Sequence, residues 1–373
     1  MDPALLDVYV RSYVADLTWT MDEFDRVALG RVIEMLVRVR SEGGQILLAG
    51  NGGSAAAASH MACDLGKGTI DAGNPAFTRF RVVSLSDNNA LITAIGNDLS
   101  FEDVFVEQLK MVMTPGDVVV FISSSGNSPN LVRAAEYARA QGAATVGLLG
   151  FGGGKLAAMV DVPLVVSSRN YGITEDFHMS VQHIYTQYLR RALAGPQRRV
   201  AFLDRDGIIN ERAAPHHYVE RWEAFRFRDG AVELMRGLAV QGFTLVVVTN
   251  QQGVGKGRMT AADLDRLHAS MTAALGADGI IVRGVFACPH LAERRCFCRK
   301  PEPGLFYRAL NELPFLVDLP HSVAIGDAPS DVAAAQAAGV PTRVLVGAGP
   351  DPAATHAVAG LADVLPLLQA AHD

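Results

Sequence analysis

Two carboxylates, Asp204 and Asp206, end the apolar run Val200-Ala-Phe-Leu and are followed at once by Gly207. A buried parallel strand delivers its ligand-binding groups at the C-terminal tip, and a glycine there lets the chain turn so that both acids face one cavity. Taken alone, the pattern also fits an exposed acidic turn. Later segments favour the cavity. Phe243-Thr-Leu-Val-Val-Val-Thr249-Asn250 ends a second apolar run in a hydroxyl and an amide, and Arg299-Lys300-Pro301 supplies cations. His321-Ser-Val-Ala-Ile-Gly326-Asp327-Ala-Pro-Ser-Asp331 ends a third run in two more acids.

This set suits phosphoryl transfer. Asp204 attacks phosphorus to give an aspartyl phosphate. Asp206 protonates the leaving oxygen and then activates water. Thr249, Asn250, Arg299 and Lys300 face the substrate, Thr249 and Lys300 neutralising phosphate oxygens that would repel a carboxylate nucleophile. Asp204, Asp206 and Asp327, with a backbone carbonyl, give Mg2+ the hard oxygen ligands it prefers, and Asp331 stands behind them. The four-part order Asp-x-Asp-Gly, Thr-Asn, Lys-Pro and Gly-Asp-x-x-x-Asp resembles the haloacid dehalogenase phosphatases.

Three of the four cysteines crowd into Cys288-Pro-His-Leu-Ala-Glu-Arg-Arg-Cys-Phe-Cys298. Cys288, His290, Cys296 and Cys298 offer three thiolates and an imidazole, a closed tetrahedral set suited to structural Zn2+. The loop so folded leads directly into Arg299 and Lys300 and positions them. The zinc-loop phosphatases that this segment resembles include heptose-1,7-bisphosphate 7-phosphatases and histidinol-phosphate phosphatases. The short span between His290 and Cys296 is similar to the histidinol type. Thr249-Asn-Gln-Gln-Gly-Val-Gly-Lys-Gly257, Tyr218-Val219 and Phe225-Arg-Phe-Arg-Asp-Gly230 are similar to the heptose type. Lys256, Arg258 and Arg299 are cations available to a second phosphate, or are solvated surface charges.

The first half carries different chemistry. Gly50-Asn-Gly-Gly-Ser54 and Val120-Phe-Ile-Ser-Ser-Ser-Gly-Asn-Ser128 each link an apolar run to a helix start, where free amides and the helix N-terminus meet an anion. Singly, each fits an ordinary capped helix; together they favour a phosphorylated ligand. With Gly96-Asn-Asp98 and a His-bearing final helix, they resemble the sugar isomerase (SIS) family, in particular the sedoheptulose-7-phosphate isomerases. The resemblance covers residues 1–194. It implies that Ser54, Ser123, Ser125 and Ser128 hold a sugar phosphate, with Asn51, Gly52, Gly53, Ser124 and Asp98 among the substrate-binding positions. It also implies tetramers with sites at subunit boundaries. Enediol chemistry needs an acid and a base beside C1 and C2. His60 and Asp64 are spaced to share a helical face, as are Glu175 and His183, with His178 between them. The family's His, Glu, Gln and His at these positions imply a possible Zn2+ site of His60, Asp64, Glu175 and His183. Asp64, Glu175 and His183 are the catalytic candidates. Asp64 replaces a longer Glu here, and Glu175 replaces a neutral Gln.

Apolar runs at 45–50, 81–86, 117–123, 144–149 and 161–166 alternate with helical patterns at 3–20, 22–42, 88–95, 101–113, 128–141, 153–159 and 173–193. Further strands fall at 200–204, 243–249, 321–326 and 342–346, with a closing helix at 359–371. The expected fold is α/β: a five-stranded, doubly wound parallel SIS-type sheet, then a haloacid-dehalogenase-like sheet with a zinc loop. Leu193-Ala-Gly-Pro-Gln-Arg-Arg199 breaks the pattern, giving domains at 1–195 and 198–373.

A length of 373 residues accommodates two cores, and a net charge of −6 without basic runs argues against a nucleic-acid partner. No apolar stretch reaches membrane-span length, and the N-terminus is broken by charges, so the expected location is cytoplasmic. The pairing of the two resemblances implies one pathway, in which sedoheptulose 7-phosphate is isomerised, a separate kinase phosphorylates C1, and the second domain releases the C7 phosphate. Two alternatives stand beside it: a sugar-phosphate-sensing first domain that regulates the second, and a phosphatase for histidinol phosphate.

Overall fold

The structure is a computed structural model that describes residues 2–214, 217–347 and 349–370. It divides into two compact units, Met1–Ala194 and Gly195–Asp373.

In the first unit, β1 (Gln45–Gly50), β2 (Arg81–Ser84), β3 (Val118–Ser123), β4 (Ala144–Leu149) and β5 (Val162–Val165) form a parallel sheet in the order β2-β1-β3-β4-β5. Alternation along β1 sends Ile46 and Leu48 into the core on one face, and Leu47 and Ala49 into that on the other. Helices α1 (Pro3–Glu23), α2 (Arg26–Ser41), α3 (Gly53–Cys63), α4 (Asn89–Asp98), α5 (Val104–Val112), α6 (Pro129–Ala140) and α7 (Tyr171–Leu193) complete the unit. The break between α1 and α2 falls at Asp25, whose carboxylate caps Val27 N and Ala28 N at 2.9 Å. Leu5, Val8, Tyr9, Val14 and Trp19 of α1 are all exposed, so much of its apolar surface has no cover within the chain.

The helix expected at 153–159 is absent. Gly152, Gly153 and Gly154 take positive φ (81°, 88° and 54°), which an α-helix does not accept, and only a tight turn at Leu156–Ala158 follows.

In the second unit, β6 (Val200–Leu203), β7 (Thr244–Asn250), β8 (Val282–Cys288), β9 (Val323–Gly326), β10 (Thr342–Val346) and β11 (His356–Val358) are parallel, in the order β11-β10-β9-β6-β7-β8. The chain runs outward from β6 through β7 to β8, then crosses back to β9. The order therefore reverses beside β6, and such a switch point opens a crevice at the strand tips. Helices α8 (Ala231–Val240), α9 (Ala261–Ala277), α10 (Gly304–Glu312) and α11 (Pro329–Ala337) flank the sheet. Two strands lie outside the sequence reading. β8 is mostly half-buried, interrupted by Arg283 and Gly284, and β11 is a three-residue edge. The closing helix is shorter than expected: a tight turn at Leu361–Asp363 precedes α12 (Val364–Ala370), and 371 lies outside the described residues.

Candidate active sites

The tips of β6, β7 and β9 assemble one site. Asp204 follows β6, and its N–H donates to Ile325 O of β9 at 3.0 Å. The Lys300 ammonium reaches between strands to Asp204 Oδ1, Asp331 Oδ1 and Val248 O, each at 2.7 Å. Burial alone would strip its proton, but the carboxylates of Asp204 and Asp331 outweigh that and hold its pKa above the ordinary lysine value. Asp204 is pushed up to about 7, mainly by burial; Lys300 opposes the rise, and Asp331 and Asp206 add to it. Asp327 is also raised, by burial first, although Arg212 donates to its Oδ1 at 2.6 Å. Gly207 (φ 93°) is required here, because a Cβ would collide with the Asp327 carboxylate.

Asp206 is held differently. Burial would raise its pKa, yet Arg205, Asn210 and Gln251 keep it below the usual carboxylate value. Arg205 NH2 donates to both its oxygens (2.8 and 3.0 Å), Asn210 Nδ2 to Oδ1 (2.9 Å) and Gln251 Nε2 to Oδ2 (2.7 Å). The carboxylates that approach within 4.8 Å of one another are Asp204, Asp327 and Asp331. Asp331 thus stands where the sequence reading put the Asp206 side chain, which is turned away to its own partners. The donor set is all carboxylate oxygen, the chemistry a hard divalent cation such as Mg2+ requires.

Thr249 is buried at the tip of β7, its hydroxyl accepting from Gln251 Nε2 at 3.0 Å. Asn250 does not point to a substrate. Its amide clasps the Lys300 main chain, donating to Lys300 O and accepting from Lys300 N, both at 3.1 Å. Arg299 makes one long bond, to His290 O at 3.4 Å. Of the other cations considered for a second phosphate, Lys256 lies 5.5 Å from the Tyr218 ring centroid, and Arg258 pairs with Glu220 at 3.1 Å.

Beside Lys300, the Cys288, His290, Cys296 and Cys298 ligand atoms are separated by 3.2 to 3.7 Å. A tetrahedral ion with Zn–S bonds of roughly 2.3 Å spaces its sulfurs about 3.8 Å apart, so the cluster is folded close to the shape the metal demands.

Sequence reasoning missed Arg205, Asn210, Gln251 and Arg212. Arg205 had a signal: it is a cation inside an otherwise buried Asp-Arg-Asp segment, and such a charge needs a partner. Gln251 had a weaker one, standing two residues after Thr249 on the same side of the chain.

In the first unit, β1 and β3 turn into α3 and α6 and enclose a cavity of about 260 Å³. Asn51, Gly53 and Ser54 line it from one loop, and Ser123, Ser124, Ser125 and Ser128 from the other. Tyr171 and Glu175 of α7 close it. Gly52, at φ 55°, starts α3 next to this lining. The Ser123 hydroxyl accepts from Gly126 N at 3.0 Å and so shapes its own loop. Asp98 is not among the lining residues; it is exposed at the end of α4 and accepts from Asn97.

His60 Nε2 and His183 Nε2 are 2.9 Å apart, and Asp64 Oδ2 lies 3.3 and 3.7 Å from them. These three form a third group able to hold a metal, and two imidazoles with a carboxylate fit Zn2+. Glu175 is outside that group. Its carboxylate packs over Gly53 in the phosphate-loop cavity. Eight residues along a helix is roughly 12 Å of rise, so Glu175 and His183 share a face without meeting. His178 belongs to the core; burial pushes its pKa down to about 4.

Known proteins resemble the two parts of the chain separately. The SIS domain family matches residues 10–150, and the HAD-hydrolase-like family matches residues 297–369. These define the class: a SIS domain joined to a HAD-like domain. A phosphoheptose isomerase of Trichlorobacter lovleyi is 37% identical over 174 residues, 45% of this chain and 83% of that protein. A D-glycero-beta-D-manno-heptose-1,7-bisphosphate 7-phosphatase of Escherichia coli is 42% identical over 155 residues, 40% of this chain and 79% of that protein. A D-glycero-alpha-D-manno-heptose-1,7-bisphosphate 7-phosphatase of Mycobacterium tuberculosis is 41% identical over 150 residues, 39% of this chain and 78% of that protein. Among solved structures, a D,D-heptose 1,7-bisphosphate phosphatase of B. bronchiseptica, complexed with magnesium and phosphate, is similar at TM-score 0.42 and 29% identity, covering 46% of this chain and 99% of that one. The chain belongs to the phosphoheptose isomerase family through its first half and to the heptose-1,7-bisphosphate 7-phosphatase family through its second.

Proposed function

We propose that the chain is a bifunctional heptose-phosphate enzyme. The first site isomerises sedoheptulose 7-phosphate to D-glycero-D-manno-heptose 7-phosphate, and the second hydrolyses the C7 phosphate of D-glycero-D-manno-heptose 1,7-bisphosphate. The observation that carries this reading is the co-occurrence, in one chain, of a serine-lined anion cavity close to acid/base side chains and a Lys300-gripped aspartate at a strand tip.

At the second site, Asp204 forms a bond to phosphorus as the P–O bond to the sugar breaks, and Asp206, a carboxylate at rest, relays to the leaving oxygen a proton taken up from solvent. Asp206 then takes a proton from the water that cleaves the aspartyl phosphate. Lys300 and Thr249 donate to the phosphoryl oxygens, and the arginine and amides around Asp206 fix its orientation at the edge of the site. Asp204 and Asp327, with a main-chain oxygen, would hold Mg2+, which supplies charge neutralisation when bound. Zn2+ in the cysteine loop would stabilise the segment that carries Lys300.

At the first site, the serines and helix N-termini bind the sugar phosphate. Asp64, Glu175 and His183 divide proton removal at one carbon and proton return at the other, the chemistry an enediol needs. Zn2+, where held by His60, Asp64 and His183, would polarise the substrate oxygens in place of the proton transfer assigned to His183, leaving that to Glu175 and the second Asp64 oxygen. Asp64 lies beside the paired histidines and Glu175 at the phosphate end, so the two carboxylates act on different parts of the sugar. D64N and E175Q test this: each slows isomerisation at least tenfold if the assignment holds, and if neither slows it the assignment is wrong.

The phosphatase step acts on a bisphosphate that the isomerase does not make, so a separate C1 kinase stands between the two sites. Relatives of both anomeric types match the second half, so the anomer is left to experiment. The exposed apolar side chains of α1 support self-association through the first unit, in keeping with a tetramer. No helix among the described residues is long and apolar enough to cross a membrane.

A further inference from the structure

Asn51 begins the first phosphate loop, and its amide is engaged by a residue of the second. Asn51 Nδ2 donates to Asn130 Oδ1, and Asn130 Nδ2 donates back to Asn51 Oδ1, both at 2.9 Å. Asn130 is in the first turn of α6, is 2% exposed, and also accepts from Leu131 N at 2.9 Å. It does not line the cavity, whereas Asn51 does. The reciprocal pair thus joins the start of α3 to the start of α6, across the tips of the paired strands β1 and β3.

We propose that Asn130 is a positioning residue for the isomerase, a strap that fixes the separation of the two anion-binding loops. The inference rests on the phosphate-cavity reading of that site. Helix N-termini bind an anion together only when their free amides converge on it. The Ser123–Gly126 bond shapes the second loop from within but does not reach the first, where Gly52 (φ 55°) has no side chain to limit it. Two hydrogen bonds in a buried setting span both, and they require a neutral amide at both ends. A carboxylate at either position would lose a donor and set a negative charge against the anion cavity.

The test uses the full chain. N130A is expected to raise both KM for sedoheptulose 7-phosphate and Ki for inorganic phosphate against isomerisation about tenfold, with kcat changed less than about threefold. The N51A/N130A pair is expected to be no worse than N130A alone, because the two residues act as one unit. Folded N130A with KM and Ki within about twofold of wild type overturns the proposal, as does a fall in kcat alone, or losses that add in the double variant. Should N130A not fold, the neutral N130S, too short to reach Asn51 in the same way, decides on the same readouts. If the wild-type chain does not isomerise the sugar, the heptose reading fails. Calorimetric titration of inorganic phosphate into wild type and N130A then still decides the strap: weakening of one phosphate site supports it, and superimposable isotherms overturn it.

Discussion

At the scale of single residues, the second site is organised by Lys300, which shares one ammonium between Asp204 and Asp331. Removing it leaves two carboxylates buried without their counter-charge. K300M is therefore expected to lower the stability of the second unit by about 3–5 kcal/mol and to abolish phosphate release, as chemical denaturation and a phosphate assay would show. His178 makes a separate prediction in the first unit. Its pKa falls from the usual 6.5 to about 4 because burial disfavours the imidazolium. Between those values the unfolded chain binds the extra proton, so the contribution is intact above pH 6.5 and is lost as pH falls toward 4. The loss amounts to roughly 3 kcal/mol. H178Q is expected to flatten that part of the stability–pH curve; an unchanged slope would contradict it. Most of the phosphatase site was legible in the sequence because Asp204, Thr249, Lys300 and Asp327 each close an apolar run or a metal-type motif. Gln251 and Asn130 were not, because a hydrogen bond across 45 or 79 residues leaves no local pattern. Glu175 shows the limit of periodicity: spacing on α7 fixed its face, while its distance from His183 left it beside Gly53.

At the scale of elements, the loop from Cys288 to Cys298 connects folding to catalysis. Lys300 leaves this loop within two residues of Cys298, and Asn250 clasps its main chain from β7. If Zn2+ holds the loop, stripping it with a chelator should cost phosphatase activity that Mg2+ alone does not restore and added Zn2+ does. Replacing Cys296 with Ala should behave as chelation does, with local loss of hydrogen-exchange protection around 288–300 as the readout. Protection equal to wild type would show that the loop folds without its metal. The strands and helices themselves were largely legible from alternating runs. β8 was not, since its half-buried pattern is broken by Arg283 and Gly284, and the helix expected at 153–159 yielded to three consecutive glycines.

At the scale of the whole molecule, the chain unites a phosphoheptose isomerase domain with a heptose-1,7-bisphosphate 7-phosphatase domain. The two units have separate cores and separate acid/base sets, so their activities are expected to be separable by mutation. D204N should abolish phosphate release and spare isomerisation, and H183A should do the reverse. The most direct test is a single coupled NMR experiment. The wild-type chain is given sedoheptulose 7-phosphate, and ATP with a heptose 7-phosphate kinase is added after the first spectra. The account predicts an aldose 7-phosphate before the kinase is added, then inorganic phosphate from C7 and a heptose 1-phosphate after it. Absence of the aldose would contradict the isomerase, and a bisphosphate that accumulates without releasing phosphate would contradict the phosphatase.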